Sequence, residues 1–177
     1  MYFLNIILIL ALVLGGCKGT LDDLQPSGND QRAEEVQTTN NQTPVYDFSI
    51  LDQNGQSRNL AQELGAGRPL VLYFTMWCPI CNAHTDHLLT QTIPKYSGPK
   101  YFLVDYISGS ASAALRSRQE NGYESAAFEL LVDQNNQAIN AFSATMGTTV
   151  VLSANGELLF NEDLKDGVKL EAVLAKL

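Results

Sequence analysis

The stretch from Pro69 to Cys81 limits what this chain can fold into more than any other part of it. Pro69-Leu70-Val71-Leu72-Tyr73-Phe74-Thr75 is short, apolar and aromatic, with its one proline at the first position, so it reads as a buried central strand. Trp77-Cys78-Pro79-Ile80-Cys81 follows, and the spacing predicts a helix that starts at the motif. Cys78 falls at the N-cap and Pro79 at the first helical position, where a missing N–H is harmless and the fixed φ suits the turn. Free N–H groups and partial positive charge at that end favour a thiolate, so Cys78 is the expected nucleophile, with a lowered pKa. Cys81, one turn in, is expected to be more buried and to resolve a mixed disulfide formed at Cys78. A structural disulfide or half of a zinc site are the other readings of the same pair.

Around this stretch the patterning is that of one α/β domain. Tyr46, Phe48 and Ile50 alternate along a strand, Asn54-Gly55 signals a hairpin, and Ser57 to Leu60 returns. Ala61 to Leu64 is read as a helical turn, and the motif helix is expected to run to about Gln91 and end before Pro94. Tyr101 to Ile107 is a second buried strand, Ser110 to Asn121 a helix ending at Gly122, and Phe128 to Val132 a third strand. Ala138 to Phe142 is expected to be helical, and Thr148 to Leu152 and Glu157 to Phe160 to pair across Ala154-Asn155-Gly156. Leu170, Val173, Leu174 and Leu177 form the apolar stripe of a last helix. Strands alternating with helices imply a sheet covered on both faces.

The N-terminal region reads differently. Tyr2 to Leu14 is almost purely apolar, the length of an export-signal core and short for a membrane-spanning helix. Leu14-Gly15-Gly16-Cys17 resembles a bacterial lipobox, which would make residues 1–16 a signal peptide and Cys17 the lipidated residue. No Lys or Arg precedes Cys17, which departs from the usual basic n-region; an uncleaved anchor or a buried helix is the alternative. Lys18 after the lipid cysteine resembles sorting to the outer membrane if the host is Gram-negative. Residues 17–43 are polar and read as a tether, whose reach as a flexible coil of about 26 residues is on the order of 25–30 Å, with an ordered wrap as the alternative. The net charge of −8, with 11 Lys and Arg in 177 residues, excludes a basic nucleic-acid-binding face.

Residues 44–177 resemble the thioredoxin fold, and more closely the membrane-tethered thiol–disulfide oxidoreductases of the TlpA and ResA type. The likeness rests on the entry Val45 to Gly55, the strand leading into Trp77-Cys78-Pro79-Ile80-Cys81, and the late Val150 to Gly156 hairpin. It implies a central mixed β-sheet flanked by helices, with an N-terminal β-hairpin extension, and a redox-active Cys78–Cys81 disulfide with no other cofactor. It also implies a location in the bacterial cell envelope, exported proteins with disulfides as partners, an upstream electron donor, and contact with the membrane only through the lipid on Cys17. In the resembled family an aromatic at the position of Trp77 shields one side of the site, and a buried Glu three residues after the second cysteine moves the resolving thiol's proton. Here His84 holds that place, and an imidazole titrating near 6.5 can still exchange protons near neutral pH; a hydrogen-bonded core residue is the plainer role. His87 is expected on solvated surface.

The resembled family also places a cis-proline opposite the dithiol. Gly147, preceded by Met146, stands there in this chain, so a trans peptide is expected because a non-proline cis bond costs about 2.5–4 kcal/mol. Gly147→Pro is then expected to restore the family's loop. Because that loop keeps metals off the cysteines, Cys78, Cys81, His84 and Met146 form an alternative copper or zinc site, and a metal-carrier function is the second reading. Thr75-Met76-Trp77-Cys78 matches part of a peroxide-reductase pattern, with Val71 where its proline belongs. A tethered interaction module with an idle disulfide is the non-enzymatic reading.

Overall fold

The computed structural model describes residues 46–124 and 126–177; the expected signal peptide, Cys17 and the expected tether lie outside them. Seven strands form one mixed sheet: β1 Ser49–Asp52, β2 Ser57–Asn59, β3 Leu70–Thr75, β4 Lys100–Asp105, β5 Glu129–Val132, β6 Thr148–Leu152 and β7 Leu158–Asp163. Their order is β2-β1-β5-β4-β3-β6-β7, with β3 parallel to β4 and β4 to β5, and the remaining pairs antiparallel. β1 and β2 are the N-terminal hairpin, whose turn is held by Asp52 Oδ1 accepting from the backbone N–H of Asn54 and Gln56.

The alternation along β3 divides the core, since successive strand residues point to opposite faces. Leu70, Leu72 and Phe74 join one cluster with Leu60 and Leu64 of α1 (Leu60–Leu64), Ala138 of α4 (Gln137–Ala141), and Phe142. Val71 and Tyr73 join the other, with Leu88, Ala114 of α3 (Ala111–Glu120), and Leu170 and Leu174 of α5 (Val168–Leu174). The helix after the motif, α2 (Pro79–His87), therefore lies on the Tyr73 face. Parallel pairing at β3 leaves its C-terminal end, and the start of α2, at an edge where loops from several strands meet.

Several boundaries differ from the sequence reading for identifiable reasons. Leu60 starts α1 rather than ending β2, because the Asn59 side chain caps that helix by accepting from Gln62 N. The motif helix does not stop before Pro94. It widens into a π turn over Leu88–Thr92 and continues through Ile93–Lys95; the wider turn accommodates a proline that lacks an N–H and whose ring would crowd the carbonyl a turn earlier. β4 ends at Asp105, not Ile107, because Asp105 Oδ1 accepts from both Ile107 N and Ser108 N and turns the chain. β7 extends past Phe160 to Asp163, paired with Thr148. Phe142 lies after α4 rather than within it, packed edge-on against Phe48 and Phe74. Leu177 leaves the α5 stripe and is half exposed. Among the described residues no helix is long and apolar enough to cross a membrane.

Candidate active site

Cys78 is the N-cap of α2, with extended φ and ψ, and Pro79 opens the helix. Its Sγ accepts from Cys81 N at 3.2 Å and lies 2.6 Å from Cys81 Sγ; both cysteines are free thiols. Cys78 is half-buried, whereas Cys81 is 0% exposed. The pair thus presents one reachable sulfur and one that only its neighbours reach.

The expected lowering of the Cys78 pKa is not what the site produces. Burial pushes the thiol above its ordinary value and the adjoining Cys81 side chain adds to the rise; the N–H groups of Cys81 and Ile80 pull the other way and do not prevail. The helix end stabilises a thiolate, but removing the sulfur from water opposes it more strongly.

Trp77 holds a left-handed backbone, φ 61°, costing about 1–2 kcal/mol for a residue with a Cβ. Two contacts compensate. Its backbone N–H donates to Thr75 Oγ1 at 3.1 Å, and its indole N–H donates to Asp105 Oδ2 at 2.5 Å. Asp105 is fully buried at the end of β4 and accepts also from Ser108 Oγ, so one carboxylate holds both the indole and the following loop. Three exposed apolar side chains sit on the segments that meet here: Ile80 (45%), Ile107 (53%) and Met146 (37%). Met146 Sδ is 3.3 Å from Cys78 Sγ.

The Met146–Gly147 peptide is trans, since no described peptide bond is cis. Gly147 adopts φ +82°, donates its N–H to Phe74 O and accepts from Leu164 N. A Cβ on it would sit 3.5 Å from His84 Nδ1, so the bare glycine lies directly over the imidazole.

His84 does not reach the cysteines. Its Nδ1 is 3.1 Å from the hydroxyl of Tyr73, whose phenol lies near enough to both cysteines for their charge to act on it. Burial, then the neighbouring His87, hold the His84 imidazole below its ordinary 6.5, with Asp163 pulling upward. The Tyr73 phenol is raised far above its usual range, first by burial and then by the two cysteines. His87 is not on solvated surface: it is half-buried, and its Nε2, without a hydrogen-bond partner, is covered by Gly167, where a Cβ would come within 2.4 Å. Among the described residues no group of three His, Cys, Asp or Glu side chains is placed to hold a metal ion. With His84 turned to Tyr73, the soft donors left together are the two thiols and the Met146 thioether. Thr75, the threonine of the peroxide-reductase pattern, directs its hydroxyl to Trp77 N.

Tyr73 and Asp105 were missed in the sequence reading. Each carries a signal: Tyr73 is a hydroxyl within a buried strand just before the motif, and Asp105 an acid at the end of another. Both are polar groups that burial obliges to find partners.

The fold is thioredoxin-like: a mixed sheet with helices on both faces and a dithiol at the start of the helix after β3. The chain is similar in structure to a secreted Mycobacterium tuberculosis disulfide oxidoreductase homologous to E. coli DsbE, at 20% identity and TM-score 0.58, covering 75% of this chain and 98% of that one. It is similar also to a thioredoxin-like protein of Aeropyrum pernix, at 16% identity and TM-score 0.59, with 83% and 96% covered. A third is the exposed lipoprotein thioredoxin of Streptococcus pneumoniae, at 20% identity and TM-score 0.54, with 74% and 99% covered. No protein-family model and no curated protein matches the sequence.

Proposed function

We propose that this chain is a thiol–disulfide oxidoreductase of the bacterial cell envelope, reducing disulfides in other exported proteins through Cys78 and Cys81. The observation that carries the reading is the asymmetry of the pair: a half-buried Cys78 at the N-cap, 2.6 Å from a fully buried Cys81. Cys78 as thiolate attacks a partner's disulfide, one partner sulfur leaves, and a mixed disulfide forms. Cys81 then attacks Cys78 Sγ, the second partner sulfur leaves, and the pair is oxidised by two electrons that an upstream donor restores. Trp77, Pro79, Met146 and Gly147 shape the surface the partner meets, and the exposed Ile80, Ile107 and Met146 suit an apolar stretch around the partner's disulfide. Export and lipid attachment at Cys17 would hold the domain near a membrane facing the periplasm or exterior, and the secreted and lipoprotein neighbours support that placement.

The test is trapping. In the full chain, Cys81→Ser should accumulate covalent adducts with envelope proteins on non-reducing gels, lost on reduction and absent when Cys78→Ser is added. Adducts that persist without Cys78, or none from Cys81→Ser, would overturn the exchange mechanism.

A second reading rests on the Met146 contact. Cys78 Sγ adjoins both Cys81 Sγ and Met146 Sδ, and thiolate and thioether sulfurs are a donor set suited to Cu(I). On that reading Met146→Leu weakens Cu(I) binding by the full chain; equal Cu(I) affinity in both proteins would remove it.

A further inference from the structure

If Cys81 is to resolve a mixed disulfide, it must first lose its proton, and it is 0% exposed, so water does not take it directly. Among the described residues, the titratable side chains that act with it are Cys78, Tyr73 and Tyr106. Cys78 adjoins it at 2.6 Å, but in the mixed disulfide that sulfur carries the partner and accepts no proton. Tyr106 is near enough to feel both thiols. Tyr73, 2% exposed, lies near enough to Cys81 to feel its charge, and its hydroxyl is 3.1 Å from His84 Nδ1. His84 is half-buried and borders the glycine at 147, so the line runs from a sealed sulfur to a ring at the edge of the cleft.

We infer that Tyr73 is a catalytic residue that carries the Cys81 proton to His84, the two forming the exit through which the buried thiol is ionised. The inference rests on the exchange reading above. In the resolving step the Cys81 Sγ–H proton passes to Tyr73 Oη while the Tyr73 hydroxyl proton passes to His84 Nδ1, which is unprotonated in the Nε2–H tautomer. The tyrosine stays neutral and its new O–H points at the Cys81 thiolate. That thiolate attacks Cys78 Sγ; the Cys78–partner S–S bond breaks, its electron pair leaves on the partner sulfur, and the Cys78–Cys81 bond forms. The imidazolium then gives its proton to the departing thiolate or to solvent. No free tyrosinate is needed, consistent with a phenol raised far above its usual range. The groups facing His84 are Tyr73 from β3, His87 from α2 and Asp163 from the end of β7; burial first and then His87 lower its pKa against the upward pull of Asp163, which leaves the ring neutral, and so able to accept, at neutral pH.

The experiment is a two-phase reaction of the full chain, carrying Cys17→Ser so that only the pair reacts, with dithiobis(nitrobenzoate). Attack by Cys78 releases the first coloured thiolate, and attack by Cys81 on the mixed disulfide releases the second. Tyr73→Phe should lower the ratio of second- to first-phase rate by about 100-fold, the lower end of what positioned proton transfer contributes. His84→Gln should act similarly, and the double variant should be no slower than the slower single one. In the parent the second phase should fall as pH drops through the His84 titration below 6.5, and this limb should vanish in His84→Gln, which a merely structural role would not produce. A second-phase ratio within about threefold of the parent in both single variants would overturn the relay. Absence of the first phase from the parent would instead overturn the exchange reading itself.

Discussion

The indole nitrogen of Trp77 donates to Asp105 Oδ2, joining residues 28 positions apart in the chain. This bond links the left-handed residue before the nucleophile to a buried acid at the end of β4. Asp105 also receives Ile107 N, Ser108 N and Ser108 Oγ, so Asp105→Ala strands several donors at once. At about 1–3 kcal/mol for each donor left dry, and with water rescuing some, the change should lower unfolding free energy by about 2–4 kcal/mol. Trp77 is the only tryptophan, so its fluorescence should report a loosened indole in the folded variant while denaturant titration reports the stability loss. Unchanged emission would show that Asp105 does not hold the ring.

The Cys78 thiol lies above its ordinary 9.0, chiefly through burial, so its alkylation rate should still be climbing beyond that pH. A raised thiol pKa means that the folded reduced form binds its proton more tightly than the unfolded chain does. The resulting stability is present below 9.0 and is lost as pH rises through the folded value. Cys81→Ala removes the neighbour that adds to the rise and should move the alkylation profile of Cys78 to lower pH. A plateau in the parent by about pH 8 would contradict the direction of the shift.

Gly147 was expected to accept proline and yield the resembled family's loop. Its φ of +82° and its N–H bond to Phe74 O make that substitution disruptive instead, because proline needs φ near −65° and has no N–H. Gly147→Pro should destabilise the fold by about 3 kcal/mol or more. Gly147→Ala should lose only about 1–2 kcal/mol through the left-handed backbone, since its Cβ would meet His84 Nδ1 at an ordinary 3.5 Å. Thermal unfolding of the two variants separates these costs, and a proline variant as stable as the alanine one would refute the backbone argument.

The strand-to-helix transition at the dithiol was legible because its causes are local: an apolar strand, then a cysteine and a proline in cap and first-turn positions. The two-faced sheet followed from the same alternation. What could not be read depends on contacts between distant segments. Asp105 ends β4 two residues early by capturing loop N–H groups, and Gly167 seals His87 from 80 positions away, turning an expected surface histidine into a covered one. The rise in the Cys78 pKa was hidden for a similar reason, since the helix end is visible in the sequence and the burial opposing it is not. His84 follows Cys81 by one turn of α2, but only the fold brings the Tyr73 hydroxyl of β3 to 3.1 Å from its Nδ1.

The contact of Gly167 with His87 gives a test that isolates one such long-range constraint. Gly167 precedes α5 with φ +79°, and a Cβ there would lie 2.4 Å from His87 Nε2 and 3.2 Å from its Cδ2, too close to be absorbed without movement. Gly167→Ala should therefore carry two costs: about 1–2 kcal/mol for the backbone, and about 1–3 kcal/mol for overpacking against the imidazole. His87→Ala removes the second cost and leaves the first. The alanine at 167 should then be about 1–3 kcal/mol less damaging in the His87→Ala background than in the parent, measured as a double-mutant cycle by denaturant unfolding. Equal costs in the two backgrounds, within about 0.5 kcal/mol, would mean that the loop before α5 does not rest on His87.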